Sequence, residues 1–300
     1  MPRLVVATEA QRRARDVLTA SAWGRLLRPA QFLDREVTLR AHPFAVEAMR
    51  TWLWVEGDEV CCSCETFEVR ARRGPVEGRA WLVASVFTEP RLRGRGFARS
   101  MLDALALTLT GPGALALALF SEVGAPLYER AGFVAQPTWD VVLPAETSVL
   151  PTDTWRTISA GPAFPPAGDG ELELILSDAQ CAWHVERERF YAKALGRPAP
   201  TGHLLVRGSS SLAAAASFQT NELHVLWYDF QDDGEAESML REACAVAGAC
   251  GLGAVRVWET TRFPVPSGGA RRSRDDELPM VRPLDGGAAR WTRIARGLWA

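Results

Sequence analysis

The sequence predicts an α+β protein of two units, and three observations carry that reading. Val83–Ala98 sets an apolar run, a loop carrying Gly94 and Gly96, and the start of an amphipathic helix side by side. A second apolar run, Leu115–Phe120, follows that helix, so strand, helix and strand come in immediate succession. The same order returns in the second half at Leu223–Phe230, Glu235–Gly248 and Ala254–Glu259. A length of 300 residues suits one large or two ordinary domains.

Each element has a local reason. Leu4–Ala7 reads as a first strand, and Thr8 can cap the next helix with Gln11 as its reciprocal partner. That helix runs to about Ser21. Trp23–Trp54 is interrupted by Pro29 and Pro43 and shows helical spacing only in patches, such as Ala45, Ala48, Met49 and Trp52. Glu59–Arg72 and Arg79–Thr88 read as two or three antiparallel strands, with turns at Gly57-Asp58 and Arg73-Gly74-Pro75. The helix after the glycine loop turns Met101, Leu102, Leu105 and Leu109 toward a sheet, and continues through Thr110. Gly111 is its expected C-cap, with Pro112 beyond. A strand at Trp139–Leu143 is expected to close the first unit. The chain thus divides into residues 1–146, a proline-rich linker over 147–170, and a second α/β unit over 171–300. In that unit Asp178–Leu195 reads as a helix, and Leu204–Arg207 and Ala213–Gln219 read as strands. Arg271–Glu277 is a mixed charge run, either a solvated loop or a flap over a substrate.

Composition narrows the function classes. A hydrophobic content of 47% and a charged content of 23% are those of a soluble globular protein. A net charge of −2 gives no electrostatic footprint for nucleic acid. No run approaches the ~18–20 apolar residues of a membrane span. Glu9, Arg12, Arg13, Arg15 and Asp16 stand where a signal peptide has its apolar stretch, so a cytoplasmic location is expected. Six cysteines in such a chain argue against a disulfide framework. Cys61-Cys62-Ser63-Cys64 has no second Cys or His pair at metal-ligand spacing, so these read as core cysteines and no metal is expected.

The loop at 93–96 specifies an anion. Its glycines remove side chains where a ligand must approach the backbone. The first-turn N–H groups of a helix lack internal partners and sit at the positive end of its dipole. Arg91, Arg93, Arg95 and Arg99 add positive charge around the same spot. A Walker loop needs Gly-Lys-Ser/Thr, and a dinucleotide fingerprint needs a glycine where Arg99 stands, so neither pattern fits. In the second half the corresponding stretch, Asp229–Glu235, carries four carboxylates that would repel a pyrophosphate.

Arg93-x-x-Gly96-x-Ala98, after a strand ending near Thr88 and Pro90, resembles the acetyl-CoA loop of the GNAT superfamily of N-acetyltransferases, usually Gln/Arg-x-x-Gly-x-Gly/Ala. Ala125–Phe133 resembles the closing signature of that superfamily, a short helix ending in Tyr-x-x-x-Gly-Phe. Ser63–Phe67, residues 87–98, Phe120–Gly124 leading to Leu127-Tyr128, and His184–Gly196 are similar to one branch, the fungal lysine N6-acetyltransferases and their bacterial relatives. Phe120 and Glu122 stand where that branch has Tyr and Asp.

The resemblance implies a mixed, mostly antiparallel sheet flanked by helices, followed by a C-terminal domain; the repeated strand–helix–strand order leaves open whether that second α/β unit is a degenerate copy of the first. It implies a helix–loop–helix over the substrate at Trp23–Trp54, acetyl-CoA as co-substrate, and acetyl transfer to a primary amine such as lysine. Val86, Phe87 and Thr88 would offer backbone groups to the pantetheine arm, on a strand splayed from Leu115–Phe120. Arg93, Gly94, Arg95, Gly96, Phe97 and Ala98 would hold the pyrophosphate, with Arg99 and Ser121 nearby. Tyr128 matches the tyrosine that assists the departing thiolate, and Glu65 or Glu122 could take the amine's proton or bind its ammonium. His184 and His203 have no Ser or Cys arrangement that would support hydrolysis. Two other readings stay open: acetylation of a protein lysine or N-terminus, and a CoA-binding sensor without turnover. A closed, carboxylate-bearing pocket between the units fits a small acceptor, whereas an open groove fits a polypeptide.

Overall fold

A capping box starts the chain's first helix. The computed structural model describes residues 2–146, 155–158, 168 and 170–299, so most of the expected linker lies outside the described residues. Strand β1 (Arg3–Val6) leads into α1 (Glu9–Trp23). There the Gln11 amide donates to Thr8 Oγ1 at 3.3 Å and the Thr8 amide to Gln11 Oε1 at 2.9 Å. Helices α2 (Pro29–Ala41) and α3 (Pro43–Ala48) each begin on a proline, which divides the helical spacing of this region into patches. Strands β2 (Met49–Glu56), β3 (Glu59–Arg73) and β4 (Val76–Thr88) form an antiparallel meander. Helix α4 (Phe97–Leu109) buries Met101, Leu102 and Leu105 completely. It ends on the extended backbone of Thr110, one residue before the expected glycine cap. Strand β5 (Ala114–Ser121) runs parallel to β4, so α4 is the crossover helix.

The chain continues through α5 (Pro126–Glu129), β6 (Val134–Ala135), β7 (Trp139–Pro144), β8 (Leu172–Leu174) and α6 (Asp178–Leu195). Then come β9 (Leu204–Arg207), β10 (Ser210–Ser217), β11 (Glu222–Asp229), α7 (Asp233–Ala249), β12 (Ala254–Trp258), β13 (Ala270–Ser273) and β14 (Leu278–Pro283). The elements expected in the second unit fall within a few residues of these bounds. Among the described residues, no helix is long and apolar enough to cross a membrane.

Two sheets result. The first has the order β1-β2-β3-β4-β5-β14-β6, with β8 on β3, and the second has the order β13-β7-β12-β11-β10-β9. This corrects one expectation. The strand at 139–144 does not close the first sheet but pairs with β12, from Asp140↔Trp258 to Pro144↔Ala254. Its place beside β5 is taken by β14, from Ser121↔Leu278 to Ala116↔Pro283. Both exchanged strands are core strands, with Val141, Met280 and Val281 fully buried. The second sheet repeats the plan of the first. An antiparallel pair, β10 and β11, leads through α7 to a parallel strand, β12, which then receives a strand from the other half. Each sheet is therefore incomplete without the other half of the chain.

Candidate active site

The glycine loop is built as the sequence implied. Gly94 and Gly96 take φ of +78° and +80°, and a Cβ added at either would meet nothing within 4 Å, so the cradle is open. Gly96 is the N-cap of α4 and supplies no side-chain cap. The first amide bonded back into the helix is Ser100, to Gly96 O at 3.0 Å, which leaves the first-turn amides of Phe97, Ala98 and Arg99 unused by the helix. Arg93 and Arg95 are exposed beside them. Arg93 Nε donates to Thr88 O at 3.1 Å, and Arg99 lies 3.7 Å from Asp103. The second unit closes the equivalent position. Asp232 caps α7 by accepting from the Glu235 amide at 2.9 Å, and Glu235 accepts from Ser210 Oγ at 2.6 Å.

Strands β4 and β5 separate as expected. Their pairing ends at Val83↔Leu119, while β4 runs on to Thr88. On its other side, Phe87 and Thr88 still pair with Ser63 and Cys62 of β3. The break follows a bulge in which Ser85 takes φ of +51°, a left-handed conformation that costs a non-glycine residue of order 1 kcal/mol and concentrates at functional sites.

A cavity of about 340 Å³ lies at this opening, between the two halves of the chain. Helices α1 and α2 contribute Trp23, Arg35, Glu36 and Arg40. Strand β3 contributes Glu65 and Phe67, the splayed β4 contributes Leu82–Val86, and the turn after β5 and α5 contribute Glu122 and Tyr128. The second half contributes Trp183, Arg187, Gln219, Glu277, Arg296 and Trp299. The helical cover expected at Trp23–Trp54 is thus in place, and charged residues of both halves line the cavity.

The three candidate catalytic residues meet in this cavity but differ in state. Tyr128 is buried, and its burial, with Cys64 and Glu122 nearby, pushes the phenol up to about 12. Glu65 is also buried, which alone would raise its pKa. Arg15 and Arg40 more than reverse this and hold it below the ordinary carboxylate value. Its Oε1 accepts from Arg15 Nη1 at 2.9 Å and Arg40 Nη2 at 3.4 Å, so that oxygen is committed to structure. Glu122 forms no ion pair among the described residues. Desolvation and Glu277 push its pKa up against Arg25 and Arg296, though its exposed position at the rim lets water damp the effect.

Ser121 is held within its own turn. Its Oγ donates to Gly124 O at 2.6 Å and accepts from the Val123 amide at 3.3 Å, so it shapes the turn that presents Glu122 and does not line the cavity. All six cysteines are buried and unpaired, with Cys62 Sγ 3.4 Å from Met101 Sδ.

Sequence reasoning missed Glu36, Glu277, Arg187 and Arg296. Glu36 is ion-paired to Arg35 and, at 3.0 Å, to Arg40; burial pushes its pKa up, against the pull of Arg35. The 271–277 run is neither a solvated loop nor a free flap. Arg274 is buried with its guanidinium 3.7 Å from the Trp258 ring centre and 3.3 Å from Asp140, and Arg271 lies 2.6 Å from Glu259. Glu277, at φ of +48°, faces the cavity and pairs with Arg296 at 3.0 Å.

Beneath this wall His224 is buried between Glu222, at 3.0 Å, and Arg296, whose Nε donates to Nδ1 at 3.1 Å. Burial and the Arg296 charge push His224 down to about 4, and burial lowers His184 as well. Below an unfolded value near 6.5 the unfolded chain takes protons that the folded chain refuses, so stability falls as pH drops from about 6.5 toward 4. The melting temperature should therefore fall from pH 7 to pH 5, and His224→Gln should shrink that fall. A melting temperature that holds or rises on acidification would contradict this.

By sequence alone the chain matches no protein-family model and no curated protein. Solved structures are similar to it. A conserved protein of unknown function from Enterococcus faecalis V583 superposes with a TM-score of 0.59 at 10% identity, covering 95% of this chain and 73% of that one. The GCN5-related N-acetyltransferase of Anabaena variabilis gives 0.56 at 10% identity, over 95% of this chain and 73% of that one. The GCN5-related N-acetyltransferase of Kribbella flavida gives 0.52 at 18% identity, over 97% and 74%. With the open glycine cradle, the β4–β5 splay and the tyrosine turn in their expected places, the chain has the fold of the GCN5-related N-acetyltransferases.

Proposed function

We propose that the protein is an acetyl-CoA-dependent N-acetyltransferase whose acceptor is a small primary amine enclosed between the two halves of the chain. The observation that carries this is one continuous cavity, reached by the splayed end of β4, that holds Tyr128 and Glu122. The similarity to lysine N6-acetyltransferases makes a lysine-like amine the first acceptor to try. Docking of a polypeptide finds less support, because α1, α2 and the C-terminal segment all wall the cavity.

The residues divide the work. The amides of 94–99 and the uncapped start of α4 hold the pyrophosphate, and the unpaired side of Val86–Thr88 receives the pantetheine arm. An alkylammonium near ~10.4 must lose a proton before it can attack the thioester. Glu122, the one candidate carboxylate without an ion pair, takes that proton directly or through water. Glu65 instead holds Arg15 and Arg40 in place and so positions the helical cover. Attack forms the C–N bond, collapse breaks the C–S bond and releases CoA as the thiolate, and the acylated nitrogen gives up its second proton to solvent. Tyr128 donates a hydrogen bond to that thiolate. Full proton transfer from a phenol near 12 to a thiolate near ~8.5 would run uphill, so hydrogen bonding is the better description.

The cradle is tested by a Gly94→Ala/Gly96→Ala double variant. The added methyls meet no protein atom, so the folded state carries mainly the left-handed strain, ~1–2 kcal/mol per residue. They project into the space assigned to phosphate. Calorimetry should show the Kd for acetyl-CoA rising at least ~10-fold with a retained cooperative melt. Unchanged affinity, or no acetyl-CoA binding by the wild type, would overturn the assignment.

A further inference from the structure

Ser63↔Phe87 and Glu65↔Ala84 are in register, so Ser85 and Val86 of β4 stand together opposite Cys64 of β3. Two residues against one is a β-bulge, a device that re-aims the backbone and recurs beside active sites. Neither residue has a register partner on β5, whose pairing with β4 ends at Val83. Both line the cavity, and Ser85 is held at φ of +51°. A serine keeps such a conformation only where its surroundings impose it.

Arg15 reaches this bulge from α1. Its Nη2 donates to the Ser85 carbonyl at 3.0 Å, its Nη1 to Glu65 Oε1 at 2.9 Å, and its Nε to Ser63 Oγ at 3.0 Å. One planar fork thus binds three acceptors, on both strands that form the bulge, and the side chain is only 5% exposed. A bond from a guanidinium to a carbonyl is stronger than the ladder bond a neutral amide gives. Arg15 itself does not line the cavity. Its guanidinium also lies 5.8 Å from the ring centre of Trp23, which does. What Arg15 does for the site it therefore does through other residues.

We propose that Arg15 is a positioning residue for acetyl transfer, fixing the bulge so that the backbone at Ser85 and Val86 meets the thioester carbonyl. This rests on the acetyl-transfer reading above. The pantetheine arm assigned to Val86–Thr88 leads from the 93–98 loop toward the cavity, so the thioester falls at the bulge. Negative charge gathers on its carbonyl oxygen as the amine attacks, and an amide set in place beforehand stabilises that charge without reorganising. Lysine cannot replace Arg15, because an ammonium is a point charge without the planar fork that serves three acceptors at once.

Arg15→Lys keeps the buried charge and loses the fork. Turnover is followed by thiol release from acetyl-CoA with L-lysine or cadaverine, and calorimetry counts the molecules that bind acetyl-CoA. Per binding molecule, kcat should fall about 30-fold or more while the Kd for acetyl-CoA stays within a few-fold. A role confined to holding α1 down would lower the melting temperature and the number of binding molecules, but not the rate of each. An unchanged rate per binding molecule would overturn the proposal. The infrared carbonyl band of bound acetyl-CoA, isotope-labelled at that carbon, reads the same contact without turnover. Wild type should move the band to lower wavenumber than in free acetyl-CoA, and Arg15→Lys should return it toward the free position. If Arg15→Lys does not fold, Ser63→Ala removes one bond of the fork and should produce the same two changes in smaller degree; if it produces neither, the proposal fails. A wild type that binds acetyl-CoA but acetylates no amine would contradict the acetyl-transfer reading and leave the band to decide on Arg15. No wild-type shift, or a shift that survives in the variant, overturns the proposal. A wild type that binds no acetyl-CoA overturns both.

Discussion

Tyr128→Phe should lower kcat by about 10- to 100-fold and leave the Kd for acetyl-CoA within a few-fold. The substitution removes one hydroxyl and keeps the ring, which packs against Phe133 at 6.0 Å and is buried in the wall. Stability and cofactor packing should therefore change little. What is lost is one hydrogen bond to a group that becomes anionic only as the C–S bond breaks, worth ~1.5–3 kcal/mol. Because that charge develops late, the loss belongs in kcat. Single-turnover thiol release checks this, paired with calorimetry of acetyl-CoA. An unchanged kcat would mean that the ring only packs in the wall and that the thiolate leaves unaided.

Ending the chain after residue 146 should abolish cooperative folding, although residues 1–146 hold the whole phosphate loop, Glu122 and Tyr128. The cause is the exchanged strand. Without β14, β5 loses its ladder from Ala116 to Ser121, and β6 loses its only strand partner among the described residues. The fully buried Met280 leaves a gap beneath α4 and α5, and the fully buried Val281 leaves one in the core on the opposite face of the sheet. Burying such side chains is worth ~1.5–3 kcal/mol each, and an exposed central ladder adds to the loss. Together they are comparable to the ~5–15 kcal/mol that holds a domain folded. The stranded β7 would also present an apolar edge with no β12 to cover it. The fragment should aggregate or melt without a sharp transition. A soluble 1–146 fragment with a cooperative melt would show that the exchange is dispensable.

The parts of the site that could be read from the sequence are those fixed by local chemistry. Gly94 and Gly96 are glycines because their backbones need positive φ, and that requirement is written in two residues and the helix that follows. The Thr8–Gln11 box and the burial of Met101, Leu102 and Leu105 are equally local. The strand exchange is not. Trp139–Pro144 and Leu278–Pro283 are both six-residue strands ending in proline, and either pattern fits beside β5 or β12. The choice is made by contacts far apart in sequence.

Charge hid the rest. Arg274 and Glu277 lie in a charge run that reads as a solvated loop or a flap, but the Trp258 ring and opposite charges, with Arg296 among them, take the place of water around them. Glu36 and Arg187 sit on helices with polar residues on several faces, so nothing marks the inward one. Trp183 one turn before Arg187 was the available signal, since an apolar anchor at i and a charge at i+4 share a helix face.

The measurement that bears most directly on the central claim is thiol release from acetyl-CoA by the purified 300-residue chain, with free diamines, diamino acids and a lysine-containing peptide offered in parallel. An enclosed site predicts release with at least one free amine and none above background with the peptide. Release with the peptide alone, or no release with any acceptor by a protein that binds acetyl-CoA, would contradict it.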